Sequence, residues 1–434
     1  MNTFSIKNVL KKNVMAIALF VIYIFFTIMT QGMMFTSSNV ASLIDQKAYV
    51  YILGAGMLMC MLTGGNIDLS VGSFLCFAGA VAGVFSVIWY INTPLSLLLV
   101  VGVGLVYGAL LGFLIAYVRI PPWIATLAGY LAFRGLATQI LVKVSETSAI
   151  SNFPEEFLHL FSGKILTAPV FQFKIESLLM WLNIPCLVLG VLATAAIAFI
   201  NFSTRAKKVK KGYEADPTWF VAVKSVIEGA IILVLSFKFA QEGDIAFEEL
   251  ADGTTVEVFK GGIPVVVLWL IAVLLIYGII TEKTTIGRHF MTVGGNAETA
   301  KLSGINNKLV MFAAYLNMSV LTVLAALIVT ARFSSANAFA GQNFEMDAIA
   351  ACIVGGVSAY GGSGSIMGMV IGATLIGVID QGMSLMQIDQ DWIKIVKGLV
   401  LLAAVVFEIV SKQGGNNPFK SIIEKFSKNK KQKK

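Results

Sequence analysis

Long apolar stretches and short polar ones alternate along the whole chain, and the apolar ones recur at about the length of a membrane-crossing helix. A hydrocarbon core of ~30 Å takes about 20 residues rising 1.5 Å each. Stretches of this kind lie at roughly 14–34, 47–63, 71–92, 95–118, 121–142, 178–202, 219–240, 263–281, 309–331, 347–360, 363–382 and 392–410. The pattern predicts an all-α, polytopic transmembrane bundle of about 10–12 spans, with broken or re-entrant helices where glycine and polar residues interrupt it. Lys7, Lys11 and Lys12 before the first stretch imitate a signal peptide. The apolar part is long, however, and no A-x-A cleavage site follows, so a retained first helix entering from the cytoplasm is expected.

Charge placement orients this bundle. Arg205, Lys207, Lys208, Lys210 and Lys211 follow the sixth stretch, and the tail from Lys412 carries eight Lys against Glu424 alone. Positive residues in short loops mark the cytoplasmic side. Glu242, Asp244, Glu248, Glu249, Asp252 and Glu257 against Lys260 fit the outer face. Both termini are then expected inside, which requires an even number of spans. Trp89, Trp219 and Trp392 stand at predicted span ends, where Trp anchors a helix in the interface.

Composition agrees. Of 434 residues 57% are hydrophobic and 13% charged, whereas soluble domains run near 25% charged. A soluble enzyme, a disordered chain and a nucleic-acid binder are excluded as defaults. Cys60, Cys76, Cys186 and Cys352 all sit in apolar stretches without paired spacing and read as small buried hydrophobes. His159 and His289 are too few for a zinc or haem site. Much of the glycine lies in or beside the spans, as at Gly102, Gly104, Gly108 and Gly112, where small residues let helices approach closely.

Three interruptions carry the candidate chemistry. Gly64 to Gly72 is too polar to continue a lipid-facing helix, and irregular backbone at membrane depth needs protein or a water-filled cavity around it. Asn66, Asp68 and Ser70 are therefore candidates to line a path; Ser70 is expected to cap a helix from Val71, and Asp68 can equally cap it or line the path. The second interruption, Gly355 to Ser365, includes Ser358 and Tyr360 and reads as a tight re-entry between helices. It lacks the G-x-x-x-x-G-K-[ST] pattern of a phosphate loop, which is absent everywhere else in the chain as well. Its surroundings, 351–379, resemble 59–85 in apolar run, Gly-Gly break and small-residue helix, an arrangement found in transporters built from duplicated halves.

The third interruption, Thr285 to Ile305, predicts a short helix of about 297–303, capped by Asn296 and ended by Gly304. Such a segment can dock on another protein or serve as a solvated connector. Gly295 is expected to use the backbone freedom of glycine, and Ala300 to approach a partner surface closely. Elsewhere Arg134 lies deep in the fifth span and can line a path or pair between helices. Lys224 and Glu228 are spaced as a helix-face ion pair.

These segments resemble the inner-membrane permease subunits of ATP-binding-cassette importers for monosaccharides, the ribose, xylose, galactose and multiple-sugar group. The matching stretches are GGNIDLSVGS (64–73), PPWIATLAGYLAFRGLA (121–137), GRHFMTVGGNAETAKLSGI (287–305), the run from Glu345 to GGVSAYGGSGS (355–365), and VKGLVLLAAVV (396–406). They follow one another in family order and cover most of 50–410. The region 203–262, with its basic loop, extra span and acidic outer loop, is similar to the longer xylose and multiple-sugar branch.

The resemblance implies one permease domain over 1–434, with a coupling segment at 282–308 and a basic tail at 411–434. Within the coupling segment it implies that Gly294, Gly295, Asn296, Ala297, Ala300, Leu302, Ser303 and Gly304 seat on a separate ATPase subunit that binds ATP and Mg. It further implies an extracytoplasmic sugar-binding protein, a second copy of the chain, a monosaccharide substrate, and no cofactor in this chain. Asn66, Asp68, Ser70, Arg134, Asp347, Ser358 and Tyr360 are the path candidates. The rivals are an ion-coupled secondary transporter using Asp68, Asp347 or Asp380, a membrane-embedded enzyme, and a permease of the same fold for nucleosides or branched-chain amino acids. The spans hold no convergent cluster for the enzyme.

Overall fold

Each of the twelve apolar stretches carries a helix. In this computed structural model residues 14–175, 180–213, 215–249 and 255–412 are described. The helices on the stretches are α1 Val14–Met29, α2 Ser37–Leu62, α3 Val71–Gly83 with a π turn Val84–Ile88, α4 Thr93–Ala116 and α5 Pro122–Val144. A short α6, Glu155–Ser162, precedes α7 Ile184–Lys210, α8 Thr218–Ala240 and α9 Val265–Lys283. Then come α10 Thr285–Gly295, α11 Ala297–Leu302, α12 Asn307–Phe333, α13 Phe344–Val354, α14 Ile366–Leu385 and α15 Gln390–Lys412.

Eight of these helices are long and apolar enough to cross a membrane. The molecule is a multi-pass membrane protein. The stretch at 347–360 is not one passage: α13 stops at Val354, and its 11 residues reach about 16 Å, roughly half a hydrocarbon core. Asparagine side chains start two of the long helices. Asn92 Oδ1 accepts from Leu95 N at 3.1 Å before α4, and Asn306 Oδ1 from Leu309 N at 3.2 Å before α12.

Short strands occur between helices. Eight are found among the described residues, paired antiparallel as β1 Ala149–Ser151 with β8 Ser335–Asn337, and β2 Lys164–Ile165 with β7 Ile263–Pro264. The others are β3 Gln172–Ile175 with β4 Met180–Asn183, and β5 Gly243–Glu249 with β6 Thr255–Gly261.

The chain forms two compact units. One gathers residues up to Ala48 with Phe153–Ile271. Within it α7 and α8 lie against each other as an antiparallel pair in which Gly190 meets Ser236 and Gly229 meets Thr194. Asn183 Oδ1 caps α7 by accepting from Cys186 N at 3.2 Å, and Leu182, Cys186, Ala240 and Ile263 make a small core at that end.

The other unit gathers Tyr49–Asn152 and the chain from Ala272 onward. Its core is the buried stretch from Tyr49 to Leu62, nearly all of α3, and the central parts of α12 and α14. Gly104, Gly108 and Gly112 recur every four residues on the face of α4 that meets α12, where a Cβ on Gly112 would stand 2.9 Å from the Phe312 carbonyl oxygen. Gly102 faces open space.

Candidate functional site

All three interruptions belong to the second unit, and they meet at one backbone junction. Helix α2 ends on Gly64 (φ 123°) and Gly65 (φ 73°), conformations that side chains disfavour. Gly65 N donates to Met61 O at 2.8 Å. The second interruption turns at Gly356, Gly361 and Gly362, all with positive φ. Ser358 N donates to Ser363 O at 2.9 Å, and Ser365 Oγ caps α14 by accepting from Gly368 N at 3.1 Å. Gly362 N then donates across to Leu62 O at 3.1 Å.

The end of α10 fits into this pair of turns. A Cβ on Gly294 would collide with the Leu62 carbonyl oxygen and stand 2.7 Å from Gly362 N and 2.8 Å from Gly64 N. One on Gly362 would stand 2.9 Å from Gly295 Cα, one on Gly65 would collide with the Ala359 carbonyl, and one on Gly361 with Gly64 Cα. Three segments remote in sequence are thus in backbone-to-backbone contact that only glycine permits.

The residues after the first turn form a buried polar chain. Asn66 Nδ2 closes the turn onto Thr63 O and Thr63 Oγ1 at 3.2 and 3.1 Å. Asp68, 1% exposed, accepts at Oδ1 from Ser70 N at 2.9 Å and from Ser70 Oγ at 2.5 Å. Tyr107 OH in turn donates to Ser70 Oγ at 2.6 Å. Ser70 was expected to cap α3. It stands at the cap position but makes no side-chain cap bond, because Asp68 and Tyr107 engage its hydroxyl. Of the second interruption's candidates, Ser358 is buried and Tyr360 is 71% exposed.

The coupling candidates follow from α10 into α11. Asn296 Oδ1 accepts from Thr299 N at 2.9 Å, α11 runs Ala297–Leu302, and Gly304 ends it with φ 83°. Ser303 Oγ donates to Thr299 O at 2.9 Å. Two expectations are corrected. Gly295 lies inside α10 without positive φ and with open space where a Cβ would go, so the demand for glycine falls on Gly294. Ala300 is 0% exposed and packs against its own chain, whereas Leu302 is 89% exposed and is the apolar side chain that α11 presents outward.

Two path candidates lie away from the junction. Arg134 donates from Nη1 to Ala338 O at 3.3 Å and Ala340 O at 2.8 Å, so its guanidinium holds a backbone turn between helices. Asp347, in the first turn of α13, accepts from Tyr49 OH at 2.6 Å and pairs with Lys397 Nζ at 2.5 Å. Lys397 also reaches Asp380 Oδ2 at 3.2 Å. Asp347 lies eight positions before Gly355, about 12 Å at helical rise.

Residues 39–405 match the family described as branched-chain amino acid transport system / permease component. The chain belongs to this permease family. It is 34% identical over 422 residues to the xylose transport system permease protein of Haemophilus influenzae, covering 94% of this chain and 99% of that one. The xylose transport system permease protein of Escherichia coli K12 is 32% identical, with 92% of each chain covered. The fructose import permease protein of Rhizobium meliloti is 27% identical over 88% of this chain and 81% of its own length. No solved structure matches the chain.

In this permease the sequence pattern left Tyr49, Tyr107 and Lys397 unmarked. Lys397 carries a visible signal, a lysine inside an apolar run that needs a carboxylate partner. The tyrosines carry none, because their role depends on which helix faces them. Glu345 is also buried, packed beside Gly72 and Gly341. Lys224 and Glu228 pair on α8 as their spacing predicts, at 3.7 Å.

Proposed function

We propose that the chain is the membrane-spanning subunit of an ATP-binding-cassette importer for monosaccharides, with xylose as the first substrate to test. The observation that carries this reading is the near full-length similarity to a xylose transport system permease, 94% of this chain against 99% of that one. The chain performs no chemistry of its own. ATP and Mg bind to a separate ATPase subunit, an extracytoplasmic sugar-binding protein delivers substrate to the outer face, and two copies of the chain pair around or beside the path. Residues 1–434 act as one permease domain with both termini cytoplasmic.

The junction geometry supports a mechanical role for α10 and α11. Leu302 is the contact toward the ATPase, with Asn296 and Gly304 fixing the length of α11. Displacement of Gly294 and Gly295 presses directly on the turns at Gly64–Gly65 and Gly361–Gly362, because no side chain lies between to absorb it. Asn66, Asp68, Ser70, Ser358 and Tyr360 flank those turns and are the path residues; Arg134 and Asp347 hold the surrounding helices.

The test is uptake. The chain is purified with the products of its neighbouring genes, placed in proteoliposomes and offered labelled xylose, ribose, fructose and leucine with and without ATP. ATP-dependent entry of a sugar is the expected result. Entry of leucine instead would favour the amino-acid reading that the family description carries, and ATP-independent entry driven by a proton or sodium gradient would overturn both.

A further inference from the structure

The α7–α8 pair holds a feature that sugar transport does not use. Where α7 passes from apolar residues into its basic run, a cavity of about 130 Å³ opens between it and the start of α8. Thr204, Arg205 and Lys208 line it from α7, and Asp216, Phe220 and Lys224 from the other side. Its volume is several times the ~10–15 Å³ that a single water requires.

Charge and depth together identify an occupant. Among the described residues three cations face the cavity against one carboxylate, that of Asp216. Arg205 donates from Nε to the Asp216 carbonyl oxygen at 3.0 Å, which orients the guanidinium, and its Nη groups have no partner among the described residues. Lys208 has no ion pair among the described residues either. At one end Asn201 Nδ2 donates to Ser225 Oγ at 3.1 Å and Glu228 Oε2 at 2.8 Å, which ties the two helices together beside the cavity. Glu228 also takes the long contact to Lys224.

The level in the membrane is marked by neighbours. Phe199, Ile200 and Phe202 on α7 are exposed apolar side chains of a lipid-facing helix. Trp219, exposed and edge-on to Phe220 at 6.0 Å, stands at the start of α8 in the position of an interface anchor. A basic pocket between two membrane helices at headgroup depth suits a phosphodiester: the arginine fork and lysine charges meet its oxygens, and Phe220 and the apolar helix flanks meet the glycerol and acyl chains. A neutral sugar offers nothing for these charges to match. We propose that this pocket binds the phosphate of an anionic phospholipid from the surrounding leaflet.

The test uses the full-length chain, delipidated in detergent and mixed with phosphatidylglycerol or phosphatidylcholine, with bound lipid counted by native mass spectrometry. The wild type should retain phosphatidylglycerol in preference to phosphatidylcholine. Arg205→Gln/Lys208→Gln should weaken that retention about 25-fold, about fivefold for each cation. Lys207→Gln/Lys210→Gln removes the same charge outside the cavity and should weaken it far less. If the first double variant fails to fold, Lys208→Gln is read against Lys207→Gln in the same way. Equal losses in the two variants, or no preference in the wild type, would reduce the effect to diffuse attraction and overturn the site. Displacement of phosphatidylglycerol by millimolar inorganic phosphate would assign the pocket to a soluble anion and overturn the lipid.

Discussion

Over their most apolar 18 residues, α3 with its π turn and α8 have the same mean hydropathy, 2.1, yet 72% of the first stretch and 17% of the second is buried within the protein. Hydropathy therefore tells that a helix belongs in a membrane and says nothing about what surrounds it there. Side-chain size makes the difference. Residues 71–83 of α3 are mostly Gly, Ala, Ser and Val, which let neighbouring backbones close in, while α8 presents bulky Val226, Ile227 and Ile231 outward. Burial also differs between α14 and α7, at 72% and 11% over the most apolar 18 residues of each, although there it does not follow side-chain size.

The largest effect should come from adding one side chain where the packing is tightest. Gly294→Val drives a Cβ into the Leu62 carbonyl, a backbone atom that cannot rotate away. Uptake by the assembled transporter should be lost, with a destabilisation of about 3 kcal/mol or more, the upper range for overpacking. Gly295→Val, one residue on and facing open space, should keep uptake near the wild-type rate. Equal losses in both would mean that the junction is not what constrains this segment.

Next comes a charge. Lys397→Met leaves Asp347 and Asp380 facing each other without their shared cation, and removing one partner of a buried ionic cluster costs about 3–5 kcal/mol. Lys394→Met on the same helix breaks the exposed pair with Asp391 and should cost under about 1 kcal/mol. Thermal unfolding in detergent separates the two. A Lys397 variant as stable as the Lys394 variant would show that the cluster is solvated.

The comparison of helices itself is tested by a matched truncation. Ile52→Ala in the fully buried part of α2 should cost about 2–5 kcal/mol. Ile227→Ala on exposed α8 should stay within about 0.5 kcal/mol, since lipid replaces lipid contact there. A large loss at Ile227 would mean that this face of α8 is covered by protein.

Most of this was legible in the sequence, but unevenly. Apolar length placed the helices, and Asn296 and Gly304 marked the limits of α11 because capping is local chemistry. The strands escaped, although Gln172-Phe173-Lys174-Ile175 alternates as a strand does, because short alternating runs between spans read as loops. The demand for glycine was expected at Gly295 and falls on Gly294. Which of two adjacent glycines meets a foreign backbone is settled by the approach of Leu62 and Gly362, and sequence distance carries no trace of that. Ala300 failed for the same reason: a small residue in an amphipathic turn can face a partner or its own chain, and here it faces its own.

The smallest effect concerns the polar chain beside the junction and asks whether shape or hydrogen bonding governs it. Tyr107→Phe removes the donor to Ser70 Oγ but keeps a ring whose centroid lies 4.4 Å from those of Phe74 and Phe133. Both bonds to Asp68 survive, because they come from Ser70 itself. One bond is lost and no charge is left alone, so the cost should be about 1 kcal/mol, with uptake close to normal. Ser70→Ala should cost more, since it removes the donor that Asp68 accepts at 2.5 Å and leaves the Tyr107 hydroxyl buried without its acceptor. If the glycine junction alone governs movement, the Tyr107 variant transports and the Gly294 variant does not. An uptake loss in Tyr107→Phe as deep as in Gly294→Val, with stability nearly unchanged, would move the functional weight from the backbone junction to the Tyr107–Ser70–Asp68 chain.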